Sequence, residues 1–254
     1  MNKLKLIRGL IRTYPISQLI SYYFFNKGKY HLFNLKNNLS YLIRINSRDF
    51  NTINENEIEH NYQSYLNKIK PAKVIIDVGA NIGCFSIECA KLFKDCQIYA
   101  YEPFKESYKI CQINLKINDL DRVKVCCAAI TKSSGFAELG IYDGQFEANS
   151  IGKIWGRPSR STQVKTFNLN TIFSDNKIKY CDLLKLDCEG SEYEILENLD
   201  NKIFAKIGSI IMEYHLGRED ILRHILEKNN FRVNIRKFTD KSGLLFAYKL
   251  NAIK

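Results

Sequence analysis

The sequence predicts an α/β fold: a doubly wound, mostly parallel sheet with an antiparallel hairpin at its C-terminal edge. Three observations carry this. Val74-Ile75-Ile76-Asp77-Val78 is a continuous apolar run instead of an alternating one, as in a strand covered on both faces. From Pro71 to about residue 229, strand-like and helix-like stretches alternate, the pattern of parallel strands joined by crossover helices. Two β-like runs, 231–238 and 244–250, then close the chain as a hairpin.

The elements follow in order. Residues 1–14 form an amphipathic helix with Leu4, Ile7, Ile11 and Tyr14 on one face and Lys5, Arg8 and Arg12 on another, ended by Pro15. Residues 30–46 read as a hairpin turning at Lys36-Asn37-Asn38, and 54–70 as a polar helix. Beyond the first buried strand come helix 84–94, strand 98–101, helix 104–117 and strand 123–130. Strand 182–186, helix 192–199, strand 210–213 and helix 219–229 follow. Two units result: a basic N-terminal appendage of a helix, a hairpin and a helix (1–70), and the α/β domain (71–254). Residues 135–165, with Trp155, Arg157 and Arg160 among five glycines and Pro158, interrupt the alternation. They read either as a functional insert or as an extra hairpin at 137–142.

Composition bounds the function. A chain of 254 residues with 45% hydrophobic and 26% charged residues buries a core without disulfides or metal. Its eight cysteines form no C-x-x-C pair and read as buried free thiols of a reducing, cytoplasmic compartment. The net charge of +11 is uneven. Residues 1–50 hold nine Lys/Arg against Asp49 alone, a net +8. Basic charge gathered there, away from the cleft, argues for docking and against nucleic-acid chemistry. The longest early apolar stretch, Ile16 to Phe25, is half the roughly 20 residues of a spanning helix, and Asn26-Lys27-Gly28-Lys29 offers no signal-peptide cleavage site. Residues 1–25 are instead expected to touch an anionic membrane from the cytoplasmic side or to pack on the sheet or a second subunit. The oligomeric state stays open.

The cofactor motif is Asp77-Val78-Gly79-Ala80-Asn81-Ile82-Gly83, which ends the first parallel strand and opens a helix. Glycine there lets backbone approach a ligand closely at the carboxyl edge of the sheet. It is not the G-x-G-x-x-G of a dinucleotide turn, and the acid that leads it suits a ligand with a positive group, such as the ammonium of S-adenosylmethionine. Twenty-three residues after Gly79, Glu102 ends the next strand, near the spacing at which a carboxylate accepts ribose hydroxyls.

A second block, Leu184-Lys185-Leu186-Asp187-Cys188-Glu189-Gly190-Ser191-Glu192, puts Lys185, Asp187 and Glu189 on one face of a regular strand, and Glu213 and His215 repeat that parity on the next. Asp77, Glu102, Asp187, Glu189, Glu213 and His215 are expected to converge on one cleft. Lys185 also reads as an ion-pair partner of Asp187 or Glu213. Glu194 reads as half of a capping box with Ser191, and Glu192 as a complement to the helix dipole.

Together with Glu102-Pro103, Asn114 and Glu213-Tyr214-His215, these blocks resemble the FkbM family of S-adenosylmethionine-dependent methyltransferases from about Val74 to His215, with a weaker likeness at Arg44–Asp49. The resemblance implies a class I, Rossmann-like methyltransferase fold with a seven-stranded sheet and methyl transfer to oxygen, many relatives acting in sugar, glycolipid or polyketide pathways. It assigns the cofactor to Asp77, Gly79, Asn81, Gly83, Glu102 and Asn114. Catalysis falls to Asp187, Glu189, His215 and Lys185, with the first three as candidates for the base that takes the acceptor's proton. The same acids have the oxygen chemistry of a Mg²⁺ site, and the reading favours a reaction without metal. Two alternatives are a nucleic-acid methyltransferase and a non-catalytic S-adenosylmethionine-binding module. Against the first, the four prolines are never adjacent, so no Asp/Asn-Pro-Pro-aromatic motif exists; against the second, the 185–192 block is whole.

Overall fold

A computed structural model describes residues 3–25, 28–151 and 156–254. Asn26 and Lys27, and Gly152 and Trp155 of the expected insert, lie outside the described residues, as do the side chains of Leu4 and Lys5.

The N-terminal segment comprises α1 (Lys3–Thr13), α2 (Ile16–Ile20), a π-type turn (Ser21–Phe25), the hairpin β1 (Tyr30–Asn34) and β2 (Ser40–Arg44), α3 (Asp49–Glu57) and α4 (Gln63–Leu66). Helix and hairpin fall where the sequence puts them. The polar helix expected over 54–70 does not: α3 starts five residues earlier, and His60, at φ 53°, breaks the path before α4.

The sheet is built from β3 (Val74–Val78), β4 (Gln97–Tyr101), β5 (Val123–Cys126), β10 (Cys181–Leu186), β11 (Ile207–Tyr214), β12 (Arg232–Lys237) and β13 (Gly243–Tyr248), in the order β12-β13-β11-β10-β3-β4-β5. Only β13 runs against its neighbours, inserted between β11 and β12, so the edge strand β12 is again parallel to the rest. This is the seven-stranded sheet of a class I methyltransferase fold. Helices α5 (Cys84–Leu92), α6 (Lys105–Ile117), α7 (Leu169–Asp175), α8 (Glu192–Glu197), α9 (Asn201–Phe204) and α10 (Glu219–Lys228) connect the strands. Ile76, Leu184 and Ile210 pack into one core and Ile75, Leu183 and Ile211 into the other, so both sheet faces are apolar.

The predicted strand 123–130 splits: β5 stays in the main sheet, while β6 (Ala129–Ile130) joins a second sheet with β7 (Gly135–Ile141), β8 (Ser150–Ile151) and β9 (Arg160–Phe167), ordered β6-β9-β7-β8. β7 pairs along its length with β9, about twenty residues away, and at Leu139–Gly140 with the short β8, an antiparallel local return like the hairpin the sequence offers as one reading. The N-terminal segment shares the core on the α5/α6 side of the sheet, where Tyr14, Phe33, Tyr41 and Phe50 join Phe85, Ile87 and Leu115. Asn114 of α6 and Asn118, the residue that caps it, hold the edge of β2. The Asn114 side chain accepts from Leu42 N (2.7 Å) and donates to Leu42 O (3.2 Å), and Asn118 does the same at Ser40 (3.0 and 2.7 Å). A strand edge left unpaired would waste these backbone groups. All eight cysteines are free thiols; five are buried as the sequence reads them, while Cys126, Cys127 and Cys188 are half-buried.

Candidate active site

A cleft of about 540 Å³ opens over the carboxyl ends of β3, β4, β10 and β11, within the usual size range of small-molecule sites. One half is built from backbone. Past β3 the chain turns through Gly79 (φ 78°) and Asn81 (φ 48°) into α5, entered at Gly83 (φ 95°). A Cβ at Gly79 would stand 1.8 Å from the Asp187 carbonyl oxygen, so glycine is required there by the neighbouring strand end. At Gly83 a Cβ would meet the Cys111 sulfur of α6 at 2.9 Å. Glu102 accepts Asn81 N–H and Phe104 N–H, one on each oxygen (both 2.8 Å), tying the ends of β3 and β4 together. Burial raises its pKa to about 7, against those two hydrogen bonds and the charges of Arg44 and Lys185.

The other half holds the charges. Lys185, 3% exposed, reaches Asp77 (3.3 Å), Asp187 (3.4 Å) and the Gly79 carbonyl (2.8 Å). Burial opposes its charge, but the two carboxylates raise its pKa above the usual lysine value. β10 ends at Leu186, and Glu189 sits at φ 53° in the turn that follows. The shared face expected for 185, 187 and 189 therefore does not persist as a strand. The turn still brings Glu189 to 3.4 Å from His215 Nε2, just past the end of β11. Glu192 approaches His215 Nδ1 at 3.4 Å and accepts Cys188 N–H at 3.0 Å. Glu213 stands 3.9 Å from His215 Nε2. Burial disfavours the imidazolium, yet the hydrogen bond to Glu192 and the charges of Glu189, Glu192 and Asp187 raise His215 to about 10. Burial, with Asp187 and Glu189 nearby and only His215 in opposition, raises Glu213 to about 8.

Of the residues singled out in the sequence, Gly79, Asn81, Glu102, Lys185, Asp187, Glu189 and His215 line the cleft, and so does Glu213. Asp77, Gly83 and Asn114 do not. Asp77 is fully buried beneath the turn, accepting from Ser86 Oγ at 2.7 Å and facing Lys185, so a ligand ammonium does not reach it here. Asn114 is fully buried against β2, and its remaining N–H goes to Ile82 O. Glu192 does more than complement a helix dipole: it is fully buried and orients the imidazole. The Ser191–Glu194 capping box is absent, since Ser191 makes no side-chain cap bond and Glu194 pairs with Lys132.

The sequence marks 135–165 as a functional insert or a hairpin, but it names none of the residues of the outer wall. Asn51, Thr52 and Glu55 of α3 line the cleft from the N-terminal segment, with Tyr142, Gln145 and Asn149 from the connection between β7 and β8 of the second sheet. A buried ion pair holds the two together. Arg44 donates to both Asp49 oxygens (2.9 and 2.7 Å), and its guanidinium lies over Phe146 (4.4 Å to the centroid), which stacks on Phe104.

Asn81 Oδ1 is buried on the cleft wall with no hydrogen-bond partner among the described residues, a vacancy that a ligand donor would fill. The donors and acceptors of this half suit S-adenosylmethionine: the Asn81 amide and the Glu102 carboxylate would hold it, with Gly79 and Ala80 as close-packed wall. Among the described residues, one group has the reach of a metal-ligand set, Asp187, Glu189 and His215, with one ligand atom from each within 4.8 Å of the others. His215 would have to give up its proton to serve.

Residues 77–233 match the model of the methyltransferase FkbM domain. AMB antimetabolite synthetase AmbE of Pseudomonas aeruginosa is 24% identical over 235 residues, covering 73% of this chain and 11% of that protein. Methyltransferase sdnD of Sordaria araneosa is 27% identical over 169 residues, covering 55% and 65%. The chain thus spans less than two thirds of either relative. The 2-O-methyltransferase NoeI of Sinorhizobium fredii is 24% identical over 159 residues, covering 57% and 64%. Among solved structures, M. jannaschii TYW2 in complex with AdoMet superposes with a TM-score of 0.49 at 14% identity, covering 88% of this chain and 86% of that one.

Proposed function

This chain belongs to the FkbM methyltransferase-domain family, and on that premise we propose that it methylates a hydroxyl of a sugar, glycan, glycolipid or related secondary metabolite, using S-adenosylmethionine. The observation that carries the reading is the pairing, in one cleft, of the Gly79–Asn81 turn and Glu102 with the Asp187, Glu189, Glu213 and His215 cluster. S-adenosylmethionine, when bound, supplies a methyl group already activated by its sulfonium. The protein's share is to hold the acceptor oxygen in line and about 3–3.5 Å away, and to take its proton.

The proton goes to a carboxylate. Lys185 and His215 are both held as cations and have no free basicity near pH 7. They act as positioning residues, Lys185 for Asp187 and the Gly79 carbonyl, His215 for Glu189. Among the carboxylates, Glu213, at about 8, has a proton affinity best matched to neutral solution. Asp187 and Glu189 are the other two acceptors within the cluster. The outer wall supports a polyhydroxylated acceptor. Asn51, Thr52, Tyr142, Gln145 and Asn149 offer amide and hydroxyl groups, while Glu55, Glu147 and the inner carboxylates would repel the phosphates of a nucleic acid.

Calorimetry with S-adenosylmethionine tests the cofactor half. Wild-type protein should bind it in preference to NAD, and Glu102→Gln should weaken binding by about tenfold or more, in line with a lost hydrogen bond to a charged group. Preference for NAD, or unchanged affinity in the variant, contradicts the assignment.

A further inference from the structure

Leu10 of α1, Tyr14 just past its end, Leu19 of α2 and Tyr22 in the turn point inward and join the core, with Gly9 packed closely on Ile58. The amphipathic face read from the sequence is thus divided, because Tyr14 is a fully buried plug. The rest of the apolar set points outward: Ile7 and Ile11 on α1, Ile16 and Ile20 on α2, then Tyr23, Phe24 and Phe25, with Phe24 78% and Phe25 72% exposed. Arg8 and Arg12 are exposed beside them. Residues 1–30 carry six Lys/Arg and no acidic residue. A helical pair anchored by one side and showing isoleucine, phenylalanine and uncompensated positive charge on the other has the make-up of an interfacial element.

We infer that residues 3–25 seat this protein on an anionic phospholipid bilayer, the isoleucine and phenylalanine side chains entering the acyl boundary and the basic residues meeting the headgroups. No described helix is long and apolar enough to cross a membrane, so the contact is peripheral. Charge selects this occupant over a second copy, because an isologous contact through residues 3–25 would set four positive charges against four, with no acidic residue among them. The four exposed isoleucines select it over single-stranded nucleic acid, which is held by stacking on aromatic planes.

The test is co-sedimentation of the full chain with vesicles of phosphatidylglycerol and phosphatidylcholine, against phosphatidylcholine alone. The variants are Phe24→Ser/Phe25→Ser and Arg8→Gln/Arg12→Gln, all at exposed positions, with thermal melts to confirm that each stays folded. Wild-type protein should bind the anionic vesicles at least about tenfold better than the neutral ones, and less well as salt rises. Each variant should lose about tenfold or more in binding to anionic vesicles. Absence of binding at low salt, equal binding to neutral vesicles, or full binding by the phenylalanine variant overturns the inference. So does tighter binding to a single-stranded oligonucleotide than to the vesicles, or a dimer that the same variants dissolve without any vesicle binding.

Discussion

The two halves of the cleft are made of different material. The half proposed for the cofactor is mainly backbone: a turn with positive φ at Gly79, Asn81 and Gly83, a glycine pressed against the neighbouring strand, and a carboxylate that accepts two N–H groups. The half proposed for the acceptor is side chains drawn from α3, the second sheet and the ends of β10 and β11, regions up to about 160 residues apart. Backbone geometry of the first kind cannot change without moving the sheet, whereas a wall of asparagine, threonine and tyrosine is altered one residue at a time. The cofactor half should therefore fail in stability when mutated, and the acceptor half in turnover or selectivity.

The largest effect is expected at Gly79. Glycine→Val there forces a Cβ into the Asp187 carbonyl at a positive φ, a clash with backbone that only displacement of a central strand relieves. Gly79→Val should cost more than about 4 kcal/mol and yield no cooperative melt by circular dichroism. A variant with near-native melting would break the contrast, since the turn would then be soft.

Next are the carboxylates. Glu213→Gln and Asp187→Asn keep shape and remove basicity, so turnover should fall about 10²-fold for whichever is the base, with S-adenosylmethionine affinity within about twofold of wild type. If Glu213 takes the proton, wild-type turnover rises with pH to a plateau above about 8, and Glu213→Gln flattens that rise. Unchanged turnover in both variants passes the role to Glu189 or to positioning alone.

His215 gives a smaller effect that is read in stability. Its folded-state pKa of about 10 lies above the ordinary value of 6.5, so its ion pairs stabilise the fold fully below about 6.5 and lose that contribution as pH rises towards 10. The melting temperature of wild type should fall across that window, and His215→Gln, lower at pH 7, should converge on wild type near pH 10. Parallel curves would place Glu192 and Glu189 with other partners. The smallest change is at the rim: Asn51→Ala with Thr52→Ala should raise the acceptor KM several-fold, about 1 kcal/mol in hydrogen bonding, and leave cofactor affinity alone.

The same contrast explains what the sequence revealed. Positive φ and close approach admit few residue types, so Asp77–Gly83 and Glu102 were visible as a strand-end motif, and five of the six parallel strands, β3, β4, β5, β10 and β11, were visible as apolar runs. The role of Asn114 was misplaced, because a buried asparagine on a helix gives no sign of whether it serves a ligand or a strand edge. Glu192 looked like a helix-dipole complement because its partner, His215, lies 23 residues away on another element. Asn51, Thr52 and Glu55 carried no signal at all: a polar helix face reads as solvated until the second sheet closes over it. That sheet was itself hidden, since β7 pairs with β9 across a glycine-rich stretch without a continuous hydrophobic pattern.

The central claim is methyl transfer to a hydroxyl, and incubation with methyl-labelled S-adenosylmethionine and separated polar-glycan, lipid and RNA fractions tests it most directly. The account predicts label in a glycan or glycolipid fraction, held through mild alkali as an ether is and a methyl ester is not, and lost with the Glu213→Gln/Asp187→Asn double variant. Label confined to RNA, label released by alkali, or cofactor binding with no transfer to any fraction would contradict it.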